Sequence, residues 1–238
     1  MAISEAGIAP ARAFAFYPDR RQSVWMTYLP APAHTPIRPF VFLAPILAPA
    51  LLAAGCTAPA DGPADPQADF MASLASHCGK AYAGRLVSTD PADTDMAERA
   101  MVVHFRQCAP ERMAIPFHVQ NADGTWDRSR TWLITRTAQG LQLKHDHRHE
   151  DGSSDAVTMY GGDTASEGTP VAQDFPVDAE SIAMFRANGL EQSVTNIWRV
   201  EVDAASYTYQ LARAGRLFRV EFDLTKPVET PPAPWGWQ

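Results

Sequence analysis

Three cysteines in 238 residues exclude a disulfide-dense scaffold. No two of them stand in Cys-x-x-Cys spacing, so a redox dithiol has no support. The chain has no Gly-x-Ser-x-Gly elbow, no His-Glu-x-x-His pair and no phosphate-binding glycine loop. Those absences remove the common signatures of serine hydrolases, zinc proteases and nucleotide hydrolases. There is no basic tract, and the net charge is −7. Nucleic acid and electrostatic docking on anionic lipid are therefore not expected partners. The apolar run is shorter than the about 18 residues of a spanning helix and is broken by Pro45 and Pro49.

That run is still the most informative segment. Residues 40–52 are an apolar core, and Ala53-Ala54-Gly55-Cys56 follows as a small-residue box ending in a thiol. Arg38 is the only charged residue between Met26 and Cys56. This order resembles a bacterial lipoprotein signal, in which the cysteine is acylated and the chain is cut before it. The resemblance implies a signal region over 1–55 and lipidation of Cys56. Counted from Met1, 39 residues precede the core; Met26 is the expected start, with 1–25 an upstream extension. Acyl chains hold a protein on a membrane without a spanning segment. Thr57 rather than Asp follows the cysteine. In Gram-negative lipoproteins that implies the outer membrane, facing the periplasm, with the bilayer as partner.

An oxidising compartment leaves Cys78 and Cys108 as one expected disulfide. Downstream of the cut, 20 Lys+Arg lose Arg12, Arg20, Arg21 and Arg38, while 27 Asp+Glu lose Glu5 and Asp19. The remainder carries −9 and has the length of one domain. Residues 56–68 read as a lipidated, Pro- and Ala-rich tether. Residues 69–226 read as the folded domain, and 227–238 as an irregular tail with Trp235 and Trp237.

Period-2 alternation runs through the folded region. Tyr82, Gly84 and Leu86 share a face; so do Met101, Val103 and Phe105, with His104 and Arg106 opposite. Met113, Ile115, Phe117 and Val119 follow, where Pro116 predicts a bulge or an edge. Trp132 and Ile134 lead into a strand from Gly140, a turn over 150–154, a return over 156–161 and a weaker strand over 169–175. Asp178 can cap a helix to Ala187 that Asn188-Gly189 ends. Strands over 193–202, 206–213 and 216–224 close the chain, and a helix over 70–77 precedes the first. Eight to ten consecutive strands with one or two short helices predict an all-β, up-and-down antiparallel barrel, with a β-sandwich as the alternative.

The segments Ser129-Arg-Thr-Trp-Leu-Ile-Thr-Arg136, Leu143-Lys-His-Asp-His-Arg-His-Glu-Asp-Gly152 and Thr158-Met-Tyr-Gly-Gly-Asp163 resemble a family of uncharacterised secreted Gram-negative proteins. The strand order resembles calycin (lipocalin-like) barrels. The first likeness implies no catalytic residues; the second implies a small-ligand site, though fold does not fix function.

Leu141, Leu143, His145, His147 and His149 share one face of a single strand, opposite Lys144, Asp146, Arg148 and Glu150. If the leucines point inward, the imidazoles follow them. In one reading His145 and His147 are the polar floor of a ligand pocket. Trp132, Tyr160 and Trp198 would be its walls, and Arg130 or Arg136 would take an anionic group. In a second, His145 and His147 hold a metal or haem, with a third ligand from His104, His118 or an acid. In a third, the side chains are hydrogen-bonded or solvated at a barrel rim. An envelope scaffold would show an exposed apolar patch. A hydrolase would use His147 as base with Asp146 or Asp155; a loose likeness of Tyr160-Gly-Gly-Asp163 to a catalytic loop is the only other support. No cofactor follows from the residues.

Overall fold

The computed structural model describes residues 64–237. The expected signal region, Met26, Cys56 and most of the expected tether lie outside the described residues. Two α-helices and eleven strands follow one another: α1 (Pro66–Ala75), β1 (Ala81–Leu86), β2 (Met101–His104), β3 (Gln107–Ala109), β4 (Arg112–Gln120), β5 (Trp126–Thr137), β6 (Gly140–His147), β7 (Tyr160–Asp163), β8 (Ala172–Pro176), α2 (Ala179–Ala187), β9 (Ile197–Val202), β10 (Ser206–Arg213) and β11 (Arg216–Val228). Two short 3-10 turns, Pro91–Met96 and Glu191–Ser193, lie between.

Each strand pairs antiparallel with the next, in the order β7-β6-β5-β4-β2-β1-β11-β10-β9-β8, and β3 adds to β4. The first and last strands of the chain pair with each other, so the meander wraps round on itself. The remaining seam, between β7 and β8, is bridged at Gly162–Val177. There the Asp178 N–H donates to the Gly161 carbonyl at 3.0 Å. The protein is an up-and-down antiparallel β-barrel. Tyr160-Gly-Gly-Asp163 is therefore wall. A Cβ on Gly161 would lie 1.8 Å from the Leu143 carbonyl oxygen, and one on Gly162 would lie 1.7 Å from that of Pro176. Only glycine lets the backbones approach this closely.

Alternation fills the barrel from all sides. Val103, Ile115, Ile134, Leu143, Trp198, Val200, Val220 and Phe222 are fully buried. Each such side chain stabilises by roughly 1.5–3 kcal/mol through removal from water. Helix α1 stoppers the mouth at the β5–β6 turn. Its N-cap, Asp65, pairs with Arg136, and Gln67 donates to Thr164 Oγ1 at 3.0 Å. Phe70 and Leu74 enter the core from it. Cys78 and Cys108 are disulfide-bonded, joining the α1–β1 connection to β3. Helix α2 lies across the seam. Its cap Asp178 accepts from the Ser181 N–H at 2.7 Å, and Ser181 Oγ accepts from the Gly161 N–H at 2.8 Å.

Several local expectations need correction. Helix α1 begins at Pro66, so 66–68 belong to a capped helix rather than to a tether, and it ends at Ala75. Strand β11 continues through Pro227 and Val228, into the stretch read as tail. Pro116 is on neither an edge nor the bulge itself: it faces the gap where β2 ends and β3 begins, while opposing Thr131 of β5. The return over 156–161 is mostly irregular. Asp155 accepts from the Val157 N–H at 2.7 Å and Met159 takes a φ of 57°, so pairing starts only at Tyr160.

Candidate functional site

Strand β6 stays unbroken to His147, so Leu141, Leu143 and His145 all point into the barrel and are buried. His145 lies opposite Trp132 on β5 and stacks on Tyr160, centroids 4.6 Å apart. Its Nδ1 is 3.0 Å from the Tyr160 carbonyl and its Nε2 is 2.7 Å from the Tyr209 hydroxyl. A carbonyl only accepts, so Nδ1 carries the proton and Nε2 accepts from Tyr209. Burial, then the neighbouring His147, pushes the His145 imidazole down to about 3. It is a neutral, fully partnered core residue.

The aromatics around it close the lumen. Trp132 stacks on Tyr209 at 4.2 Å and on Phe117 at 4.9 Å, and Trp198 lies 5.1 Å from His145. None of the five main clefts, of 360 to 610 Å³, is lined by His145, His147, Trp132, Tyr160 or Trp198. These aromatics act as filling. Trp132, Trp198 and His145 are all buried there.

The polar groups gather one step further out, at the mouth opposite α1. His147 is half-buried, and its Nε2 is 3.1 Å from the Tyr160 hydroxyl. Its Nδ1 makes no hydrogen bond to the described residues. Burial, then Arg130, holds the imidazole down to about 4. Arg130 lies directly across from it on β5 and ion-pairs with Asp127 at 2.6 Å. Burial alone would raise the Asp127 carboxyl, but Arg130 and the Ser129 hydrogen bonds outweigh it and keep it below its ordinary range. Burial lifts the Tyr160 phenol to about 12, so it stays a neutral donor.

Asp127 was not among the expected site residues. The β4–β5 register shifts between Phe117 and Val119, which oppose Arg130 and Asp127. Two residues of β5, Arg128 and Ser129, thus face one of β4, His118. This bulge reverses the alternation, turning Asp127 inward and Arg128 outward. Arg136 is excluded from the mouth: it opposes Leu141, six positions from Arg130 and about 20 Å along the strand, and pairs with Asp65.

Both His145 nitrogens are committed, and no group of three His, Cys, Asp or Glu among the described residues is arranged to hold a metal ion. Asp146 points outward, 2.9 Å from Arg148 and 2.9 Å from the Trp237 indole nitrogen, and so cannot assist His147. Asp155 stands 3.9 Å from His149 at the rim, and its charge also acts on the His147 imidazole, opposing the downward shift.

His104 and His118 do face outward, yet both are buried. The C-terminal segment covers that face. Arg128 donates to the Ala233 carbonyl at 2.7 Å, and Arg106 donates to that of Trp237 at 2.9 Å. Both His118 nitrogens lack a partner, and burial, then Arg128, pushes this imidazole down to about 4.

No family model and no curated protein matches the chain. Two designed proteins are similar in structure. A redesigned β-barrel aligns at TM-score 0.32 and 9% identity, over 65% of this chain and 96% of its own. A de novo fluorescence-activating β-barrel aligns at TM-score 0.29 and 14% identity, over 63% and 96%. Scores this low carry no argument. The barrel assignment rests on the strand pairing, and the likeness to secreted Gram-negative proteins gains no support from the comparisons.

Proposed function

We propose that this is a lipid-anchored envelope protein, facing the periplasm from the outer membrane, whose barrel binds a small polar ligand at the mouth beside His147, where Arg130 and Asp127 are partly exposed. The anchor reading rests on the signal-like run ending at Cys56, and an oxidising compartment accords with the Cys78–Cys108 disulfide. The ligand reading is carried by one observation: a neutral His147 with an uncommitted Nδ1 stands across from the Arg130–Asp127 pair, above a lumen already filled. Arg130 and His147 would meet a carbonyl or acidic oxygen, and Tyr160 fixes the imidazole plane from behind. Because the lumen is packed, the ligand would sit in the mouth rather than inside, unlike the arrangement the calycin likeness implies.

Carboxylates, organic phosphates and 8-anilinonaphthalene-1-sulfonate, titrated against tryptophan emission, test this. At least one is expected to give a saturable change that Arg130→Ala and His147→Ala each abolish. A panel without any saturable change, or changes that both variants retain, would sink the proposal.

A further inference from the structure

A cleft of about 520 Å³ opens on the outer wall between the β4–β5 turn and the C-terminal segment. That size falls within the roughly 300–1,000 Å³ of small-molecule sites. Trp126 and Arg128 of β5 line it together with Trp235 and Pro232 of the tail, while Asn121 and Glu150 come from two turns. The bulge at Arg128 is what brings this side chain to the outer face beside Trp126.

The tail wall is held in place at both ends. The Trp235 N–H donates to the Arg128 carbonyl at 3.1 Å, and Arg128 returns a bond to Ala233 at 2.7 Å. The Trp237 indole is tied to Asp146 at 2.9 Å. Gly236, at a φ of 75°, lets the segment pass against Gly152, whose added Cβ would come 3.1 Å from the Gly236 Cα.

The lining has a particular chemistry. Two indoles, from separate elements, border it with flat apolar rings; the Trp235 indole nitrogen itself is buried without a partner. One guanidinium, one carboxylate and one carboxamide share the lining; they carry no net charge, and beyond the bonds of Arg128 to Ala233 and of Asn121 to Thr125 they retain both donors and acceptors. A lipid tail would have to strip water from that charged set without replacing it. A phosphate-bearing ligand would want cations in excess. A pyranose fits both requirements: its C–H faces pack on indole, and its hydroxyls donate and accept at the rim. We infer that this cleft is a saccharide-binding site, with Trp126 and Trp235 as stacking platforms and Arg128, Glu150 and Asn121 as hydroxyl partners. The inference does not depend on the mouth of the barrel.

The test is calorimetric titration of the full chain with three probes: the trimer of N-acetylglucosamine, cellotriose and maltotriose. At least one is expected to bind in the millimolar range or tighter. Trp126→Ala is expected to weaken it about tenfold, the worth of one stacked ring, and Trp126→Phe to restore part of the loss. Arg85→Ala, exposed on β1, serves as the unaffected control. Trp235→Ala should also weaken binding. If it loosens the tail so that the protein melts early, Trp126 carries the test. The absence of heat from all three sugars, or binding that Trp126→Ala leaves unchanged, overturns the assignment.

Discussion

Mild acid should cost this barrel much of its stability, well before its carboxylates protonate. The cause is two buried imidazoles, His118 and His145, and a half-buried third, His147. His145 is held down to about 3, and His118 and His147 to about 4, against an ordinary value of 6.5. In the unfolded chain all three take up protons as the pH falls through 6.5, whereas in the folded chain they stay neutral until near 4 or below. The unfolded state therefore binds more protons across that window. Stability rises with pH there and is lost as pH drops. Between pH 7 and pH 5 each of the two buried imidazoles contributes about 2 kcal/mol of loss, roughly 4 kcal/mol together, against a total stability of about 5–15 kcal/mol. His147 is the most accessible to water and should give the least. His77 and His104, also lowered by burial, act in the same direction. Carboxyls held low, such as Asp127 and Asp178, lose their contribution only nearer their own range, at lower pH.

Urea unfolding at pH 7 and pH 5 measures this, with the midpoint moving and the slope staying constant. His118→Gln should remove about 2 kcal/mol of the pH-dependent part, because a glutamine cannot take the proton. Equal midpoints at the two pH values would refute the reasoning. So would a His118→Gln, His147→Gln double variant that keeps the whole difference.

Other perturbations have defined outcomes. Cys78→Ser, or reduction of the disulfide, should lower the unfolding free energy by about 3–4 kcal/mol, since the bond closes a 30-residue separation; the urea midpoint reads it. Gly161→Ala places a methyl 1.8 Å from the Leu143 carbonyl, and should cost at least about 3 kcal/mol or prevent folding, seen as lost soluble yield and lost near-ultraviolet dichroism. Tyr209→Phe removes the donor to His145 Nε2 and leaves that lone pair buried and unpaired. The expected cost is about 1–3 kcal/mol in thermal or chemical unfolding.

The barrel was legible because its strands obey a period of two over long stretches. Leu141, Leu143, His145 and His147 share the inner face as a regular β6 requires, and His145 is buried as that alternation predicts. The same rule failed where its assumptions did. A bulge at Arg128 and Ser129 exchanges inside for outside, so Asp127 could not be placed at the mouth by parity. Alternation also assumes that the outward face meets water. Here α2 covers Lys144, whose ammonium sits 2.8 Å from Asp178, and the tail covers Asp146 and His118. Nothing local in β4 or β6 announces that cover, because it comes from residues tens of positions away. Arg136 shares the parity of Arg130, yet strand length alone separates them to opposite ends.

The position of the disulfide has a mechanical consequence. The chain leads from Asp65 through α1 to Cys78 and only then into the wall at β1. Tension on the leading segment would peel α1 first, and at Cys78 the load would divide, part of it crossing the sulfurs to β3. Force from that side would thus uncork one end of the barrel while its staves stayed paired, and the end so opened is the one farthest from His147.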